Sequence, residues 1–334
     1  MKGKRIVINN VKDVVLENYD LKDVLDEEEC IIKANVSLIS AGTELSRVYG
    51  LKEGATYPFY PGYCAVGTIV KKNESLKNFA VGDRVLYSGK HASFQVFNRK
   101  KSDGGIFYKL DKRISDEEAT FLIMAWIAMN GILPIDLKLS DNVAVFGLGT
   151  LGQILVQLYK IMGANVLALD TSKFRSATAK RFMVNTIDCE AKDQYAKIMQ
   201  VTDNKGCDVV IDATGNSRCI ETCFEVAANY AKVILLGSPR VSYETNITKS
   251  LSHIHRKMLN VIGGFNRRYP YYEKEGSNEC IETYLQKLEA LIIAKKLHVK
   301  ELVSMEIKPE EALKAYEALM EQKESINSVI INWK

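Results

Sequence analysis

Residues that bind metals or form disulfides are scarce or badly spaced in this chain. It has only 4 histidines in 334 residues, and His91, His253, His255 and His298 cannot make a histidine-rich metal site. The 7 cysteines are scattered: Cys30, Cys64, Cys189, Cys207, Cys219, Cys223 and Cys280 contain no C-x-x-C pair, and nothing suggests disulfides. Only Cys219 and Cys223 are spaced to share a helix face, and without a His or Cys companion they read as packing residues. A dominant charge is lacking too. The 45 basic and 41 acidic residues leave a formal net charge of +4, which marks neither a nucleic-acid-binding nor a membrane-surface protein. No apolar run is long and uninterrupted enough to span a bilayer. The stretch from Met1 to Ile8 is basic and then strand-like, without the apolar core of a signal peptide, so a cytoplasmic location is expected. There is no internal repeat and no low-complexity segment.

What is present suits a two-domain α/β protein. At 334 residues and 47% hydrophobic composition, the chain can bury two ordinary cores. Its first hundred or so residues carry short β-rich runs (31–38, 67–70, 84–87, 93–96) between Gly, Pro and charged turns, which suggests a small barrel-like domain. The acidic first turn Asp116-Glu117-Glu118 predicts a helix running through Ile127. From Asp141 strand and helix alternate, with strands read at 143–146, 165–169, 208–211, 232–236 and 259–262, the pattern of a doubly wound parallel sheet. Beyond the basic, aromatic run from Asn266 to Tyr272, helices are predicted at about 279–294 and 310–322, with a closing strand at 328–332. The expected divisions are 1–127, 128–265 and a return to the first domain over 266–334.

The segment Asn142-Val143-Ala144-Val145-Phe146-Gly147-Leu148-Gly149-Thr150-Leu151-Gly152 carries the most chemistry. A short apolar strand enters a glycine-rich turn that opens a helix, with Leu151, Ile154, Leu155, Leu158 and Met162 at helical spacing and Gly163 as the stop. A second strand, Asn165–Leu169, ends at Asp170. In a dinucleotide site Gly147 makes the tight turn, Gly149 admits the backbone to a pyrophosphate, and Gly152 allows close packing of helix on strand. The pyrophosphate sits at the positive end of the helix. Asp170 would accept hydrogen bonds from the adenosine ribose and repel a 2′-phosphate, which favours NAD over NADP. Lys173 and Arg175 oppose that preference a little.

The order of a β domain, a Rossmann domain and a short return resembles the medium-chain dehydrogenase/reductase superfamily, which contains the zinc alcohol dehydrogenases. Ala41-Gly42-Thr43-Glu44-Leu45, Pro61-Gly62-Tyr63-Cys64-Ala65-Val66-Gly67, Val81-Gly82-Asp83-Arg84-Val85, the glycine turn and Asp212-Ala213-Thr214-Gly215 match its motifs, and the resemblance covers essentially the whole chain. It implies a GroES-like barrel domain beside the Rossmann domain. It also implies that Thr214, Gly215, Gly237 and Ser238 contact ribose and nicotinamide. Zinc-dependent members place a Cys where Ala41 stands and a His-Glu pair at Tyr63-Cys64, with a third ligand near Ile123, so no zinc is expected here. Within the family, the chain looks most like bacteriochlorophyllide and sugar or cyclitol dehydrogenases.

Without zinc, Thr43 matches the family's proton-relaying hydroxyl, and Tyr63 takes the vacated His position. A phenol there can donate to a developing alkoxide, or act as acid or base if its pKa is lowered. The alternative is that Tyr63 fills the void left by the metal. His91 is a further candidate proton shuttle. Glu44 is expected to brace Tyr63 or pair with Arg84, and Trp126 and Tyr87 are either pocket walls or core. The basic run His253–Lys257, with Arg267 and Arg268, is either an anion site or a solvated loop. The expected activity is NAD-dependent interconversion of a secondary alcohol and a ketone. The alternatives are a quinone- or enoyl-type reductase and a nucleotide-binding sensor without turnover. The expected partners are a small-molecule substrate and further copies of the chain, as a homodimer or homotetramer, with no nucleic acid and no membrane.

Overall fold

The computed structural model describes residues 1–98, 105–187, 190–239, 242–266, 269–271, 279–322 and 325–334; Cys189, Arg267, Arg268 and Tyr272 lie outside them. The chain forms two compact units: Met1–Met124 with Tyr269–Lys295 and Val299–Lys334, and Ala125–Arg268 with Lys296–His298. The divisions expected from the sequence were 127/128 and 265/266; the units here change at 124/125 and 268/269. The assignment of Lys296–His298 to the second unit was not expected. It has a local cause: the Gln157 side chain donates to the His298 carbonyl at 2.9 Å and accepts from its N–H at 2.8 Å.

The first unit opens with a hairpin of β1 (Lys2–Asn10), in the run read as strand-like, and β2 (Asp13–Asp20), which the sequence reading missed. Strand β3 (Glu29–Leu38) leads into helix α1 (Ala41–Val48), and β4 (Ala65–Lys72), β5 (Arg84–Tyr87), β6 (Phe94–Asn98) and β7 (Phe107–Lys109) follow. The predicted helix from Asp116 is two helices, α2 (Asp116–Ala119) and α3 (Leu122–Met129). Ser115 and Glu118 form a capping box that fixes the start of α2. Thr120, at the break, donates its hydroxyl to the Glu117 carbonyl at 2.7 Å, a side-chain bond that competes with helix continuation.

The second unit is doubly wound. It runs β8 (Asn142–Phe146), α4 (Thr150–Ile161), β9 (Asn165–Leu169), α5 (Lys173–Arg181), β10 (Asn185–Ile187), α6 (Gln194–Val201), β11 (Cys207–Asp212), α7 (Cys219–Val226), β12 (Ala227–Leu235), α8 (Ile247–Lys257) and β13 (Asn260–Gly263). The 6-stranded sheet has the order β10-β9-β8-β11-β12-β13, and all its pairings are parallel. Val143 to Phe146 are buried because helices cover both faces of such a sheet. The order reverses between β8 and β11, which is where ligands bind in open α/β sheets. Edge strand β10 has only three residues and escaped the sequence reading.

The chain then returns through α9 (Ile281–Ile293), β14 (Val303–Ile307), α10 (Ala312–Glu321) and β15 (Ser328–Asn332). In the first unit β15 lies antiparallel to β3 and completes a 7-stranded sheet of order β14-β15-β3-β4-β5-β7, with β6 also on β3. Among the described residues no helix is long and apolar enough to cross a membrane.

Candidate functional site

In the second unit the glycine turn has the geometry its spacing predicted. Gly147 has φ +93°, and a Cβ there would stand 2.8 Å from Thr214 Cγ2. A Cβ on Gly152 would lie 1.8 Å from the Gly147 carbonyl oxygen, so the start of α4 can approach the turn only with glycine at that position. Gly149 behaves differently. It is the N-cap of α4, nothing lies within 4 Å of where its Cβ would be, and no side chain caps the helix. Open space over an uncapped helix start, with no acidic residue in the first turn, suits an anionic group held by backbone N–H donors. Thr150 and Leu151, the first residues of α4, are both partly exposed.

Asp170 closes β9 beside this turn. Its carboxylate accepts from the Leu148 N–H at 2.7 Å and from the Ser172 N–H at 2.8 Å, with the Arg175 guanidinium 3.8 Å away. Each oxygen thus spends one acceptor position on backbone, and an ionised carboxylate has about four, so capacity remains for a ribose. Thr214 is tied down by its N–H, which donates to Asp212 Oδ1 at 2.8 Å. Gly215 and Gly237 pack so closely that a Cβ on Gly237 would meet the Gly215 nitrogen at 2.2 Å, and Ser238 is exposed just beyond. Gly147, Thr214, Gly215 and Gly237 therefore meet at the ends of β8, β11 and β12. The residues present fit a dinucleotide.

The basic run 253–257 lies on α8, where the Lys257 ammonium is committed to the carbonyls of Phe224, Glu225 and Ala227 at 3.1, 2.7 and 2.8 Å. Lys257 thereby caps the C-terminus of α7.

In the first unit Tyr63, Thr43 and Ser40 come together. The Tyr63 hydroxyl lies 2.5 Å from Ser40 Oγ and 3.7 Å from Met124 Sδ, with the Thr43 side chain close enough to favour the charged phenol a little. Ser40 is the N-cap of α1, yet its hydroxyl does not cap the helix and serves Tyr63 instead. Thr43 is the exposed member of the group. The condition attached to Tyr63 as a base is corrected here. Burial raises the phenol pKa well above its ordinary value, and a nearby Cys64 thiolate would raise it further, against smaller opposing effects from Ser40 and Thr43. The resting phenol is therefore protonated at neutral pH and is a donor.

His91 is also corrected, from proton shuttle to brace. Its ring is fully buried, with Nδ1 2.8 Å from Ser37 Oγ and Nε2 3.0 Å from Glu44 Oε2. Both ring nitrogens are engaged inside the unit, and neither bonds Tyr63 or Thr43. Glu44 neither bonds Tyr63 nor pairs with Arg84. Its carboxylate lies 3.0 Å from His91 Nε2 and accepts from the Tyr316 hydroxyl at 2.6 Å and from the Ser40 N–H at 2.8 Å. Arg84 pairs with Asp116 at 2.8 Å. Trp126 and Tyr87 are fully buried, as core residues are. The sequence reading missed Ser40, Ser37, Tyr316 and Trp333, whose indole donates to Ser37 at 2.9 Å. Ser40 was visible beside the Ala41–Leu45 motif. Tyr316, on α10, gave no local signal.

The residues at the family's zinc position do not fit zinc. Ala41 and Ile123 offer no donor atom. Cys64 is fully buried and offers one thiol where a catalytic zinc needs three protein ligands. Among the described residues no group of three or more His, Cys, Asp or Glu side chains could hold a metal ion.

The family profile described as zinc-binding dehydrogenase matches residues 150–283. D-arabinitol dehydrogenase 1 of Uromyces fabae is 28% identical over 281 residues, 70% of this chain and 78% of that protein. D-guloside 3-dehydrogenase of Escherichia coli K12 is 30% identical over 172 residues, 49% of this chain and 47% of that protein. Over these stretches the chain is similar to the medium-chain dehydrogenase/reductase superfamily. With dehydrogenases as its relatives, it is an oxidoreductase. The superfamily fold recurs in the crystal structure of galactitol-1-phosphate dehydrogenase from Escherichia coli, with a TM-score of 0.83 at 19% identity, covering 98% of this chain and 99% of that one. At that identity the likeness is one of fold.

Proposed function

We propose that this oxidoreductase is a zinc-independent, NAD(H)-dependent dehydrogenase that interconverts a secondary alcohol and a ketone on a polyol, sugar or similar metabolite. The observation that carries the reading is the Ser40–Tyr63–Thr43 hydroxyl cluster at the position where zinc-dependent members hold their metal. When bound, NAD(H) supplies or accepts the hydride. Gly147, Gly149 and Gly152 shape its pyrophosphate site, Asp170 accepts from its ribose and disfavours a 2′-phosphate, and Thr214, Gly215, Gly237 and Ser238 line the strand ends.

The protonated Tyr63 phenol donates to the substrate oxygen as negative charge grows there, the role a zinc ion plays as a Lewis acid elsewhere. Ser40 holds the phenol; in reduction Tyr63 gives its proton to the substrate oxygen and regains one from solvent through the exposed Thr43 hydroxyl, and oxidation runs the same transfer in reverse. The polyol and sugar relatives support the substrate class. A homodimer or homotetramer remains part of the reading, with edge strand β13 as the edge available for pairing. An NAD(H)-coupled screen of polyols, sugars, sugar phosphates and cyclitols, with enones included, tests the activity. Turnover of enones alone would replace alcohol chemistry with double-bond reduction. Stoichiometric zinc in the active purified protein would overturn the metal-free mechanism.

A further inference from the structure

Two cations of the first unit stand apart from its ion pairs. Arg5 is matched by Glu17 at 2.6 Å, and Arg84 by Asp116 at 2.8 Å. Arg47 and Lys90 instead share one aromatic ring. The guanidinium carbon of Arg47 lies 4.1 Å from the Phe59 centroid and the Lys90 ammonium 5.8 Å from it. Among the described residues neither has a carboxylate at ion-pair distance. Glu44 is the acidic group felt by Lys90, but its oxygens are already bonded to the His91 ring, Tyr316 and Ser40. Desolvation lowers the Lys90 pKa, Glu44 opposes this, and the nearby Arg47 charge lowers it further. Like charges gathered on one ring repel, and an anion placed between them would relieve that repulsion.

Their positions relate them to the hydroxyl cluster. Arg47 follows Thr43 by one turn of α1, so the two share a helix face. Lys90 precedes His91, and this backbone packs on Gly62, the neighbour of Tyr63. A Cβ on Gly62 would stand 2.5 Å from the His91 nitrogen and 2.9 Å from the Lys90 carbonyl carbon. One cation therefore neighbours Thr43 and the other neighbours Tyr63.

We propose that Arg47 and Lys90 bind a phosphate monoester on the substrate, which makes the preferred substrate a phosphorylated polyol or sugar. A phosphate monoester carries close to two negative charges at neutral pH, which matches two cations better than a carboxylate does. The proposal rests on the dehydrogenase reading above for its turnover arm and stands without it for its binding arm.

The binding arm is calorimetric titration of inorganic phosphate into the wild-type protein, Arg47→Met, Lys90→Met and the double variant, each shown by its melting curve to be folded. Saturable binding that weakens about tenfold in each single variant supports the site. No binding to the wild type, or equal affinity in the double variant, overturns it whatever the turnover assays show. The turnover arm compares a hexitol, its terminal phosphate ester and the matching aldonate. The phosphate ester is expected to have the highest kcat/KM, with its advantage over the hexitol falling about tenfold through KM in Arg47→Met. A preference for the aldonate overturns the phosphate assignment. A rise in KM for NAD, with that for the sugar phosphate unmoved, assigns the pair to the cofactor and overturns the substrate site. If none of these compounds turns over, the dehydrogenase reading fails while the titration still decides the anion site.

Discussion

The Tyr63 hydroxyl lies 2.5 Å from Ser40 Oγ, and the backbone N–H of that same Ser40 donates to Glu44 Oε1 at 2.8 Å. A proton-donating phenol and a buried carboxylate are thus fixed through one residue, although they make no contact with each other. Glu44 is held in turn by His91 and Tyr316. The buried polar network acts on the chemistry by positioning Ser40.

Tyr63→Phe removes the donor and keeps the ring. Turnover is expected to fall at least about tenfold, equivalent to about 1.4 kcal/mol of transition-state stabilisation, with kcat falling more than KM rises. Steady-state kinetics on any substrate from the screen checks this. A wild-type rate would leave Tyr63 as filler for the missing metal. Ser40→Ala, which frees the phenol without removing it, should give a smaller loss of the same kind.

Asp170 has two jobs, and two variants separate them. Asp170→Asn removes the charge that repels a 2′-phosphate and keeps one acceptor oxygen, while Asp170→Ala also strips the Leu148 and Ser172 N–H groups of their acceptor. Both should lower the ratio of kcat/KM for NAD over NADP, by about tenfold. The alanine variant should in addition lose about 1–3 kcal/mol of stability from the unpaired backbone donors. An unchanged cofactor ratio in both variants would remove Asp170 from cofactor selection.

Glu44→Ala leaves His91, Tyr316 and the Ser40 N–H without their common partner inside a dry core. Removing one member of a buried polar pair typically costs about 3 kcal/mol or more, so denaturant unfolding should shift clearly to lower midpoint. Tyr316→Phe, which deletes one donor and leaves no unpaired group on its own side, should cost less. Equal small effects for both would mean that the network is not a brace.

Alkaline pH should unfold this protein through its tyrosines. Burial raises the Tyr87, Tyr159 and Tyr316 phenols, and Tyr63 as well, far above the ordinary value of 10.0. Below that pH, folded and unfolded chains both hold these protons and the full stability is present. Above it the unfolded chain releases protons that the folded chain keeps. Stability should therefore fall by about 1.4 kcal/mol per pH unit for each such tyrosine. Melting temperatures measured from pH 8 upward, with Tyr87→Phe as a comparison, check this tyrosine component, which sets in near pH 10 on top of an earlier fall from about pH 9 due to buried thiols such as Cys64. A flat curve through pH 11 would contradict the raised phenols.

Much of this fold was legible because its signals are local. The run Val143 to Phe146, the spacing of Gly147, Gly149 and Gly152, and Asp170 at the end of the next strand lie within one β-α-β unit, and strand register converts their spacing directly into position. The three-residue strand β10 was missed because alternation over so few residues is weak, and β2 because its apolar run, Val14–Leu16, is just as short. The single predicted helix from Asp116 became two where Thr120 bonds back to Glu117, a choice that helix-forming composition does not reveal.

By itself the sequence determined the two-domain order, the dinucleotide-type turn and the substitution of the family's zinc ligands by Ala41, Tyr63 and Ile123. Each of these depends on residue identity at fixed local spacing. The tertiary structure decided what the remaining polar residues do. It buried His91 against Ser37 and Glu44, brought Tyr316 to Glu44 from 272 residues away, turned Ser40 from a helix cap into the partner of Tyr63, and raised the phenol's pKa by desolvation. Hydrogen-bond partners and dielectric surroundings belong to the packed chain, and local spacing does not encode them.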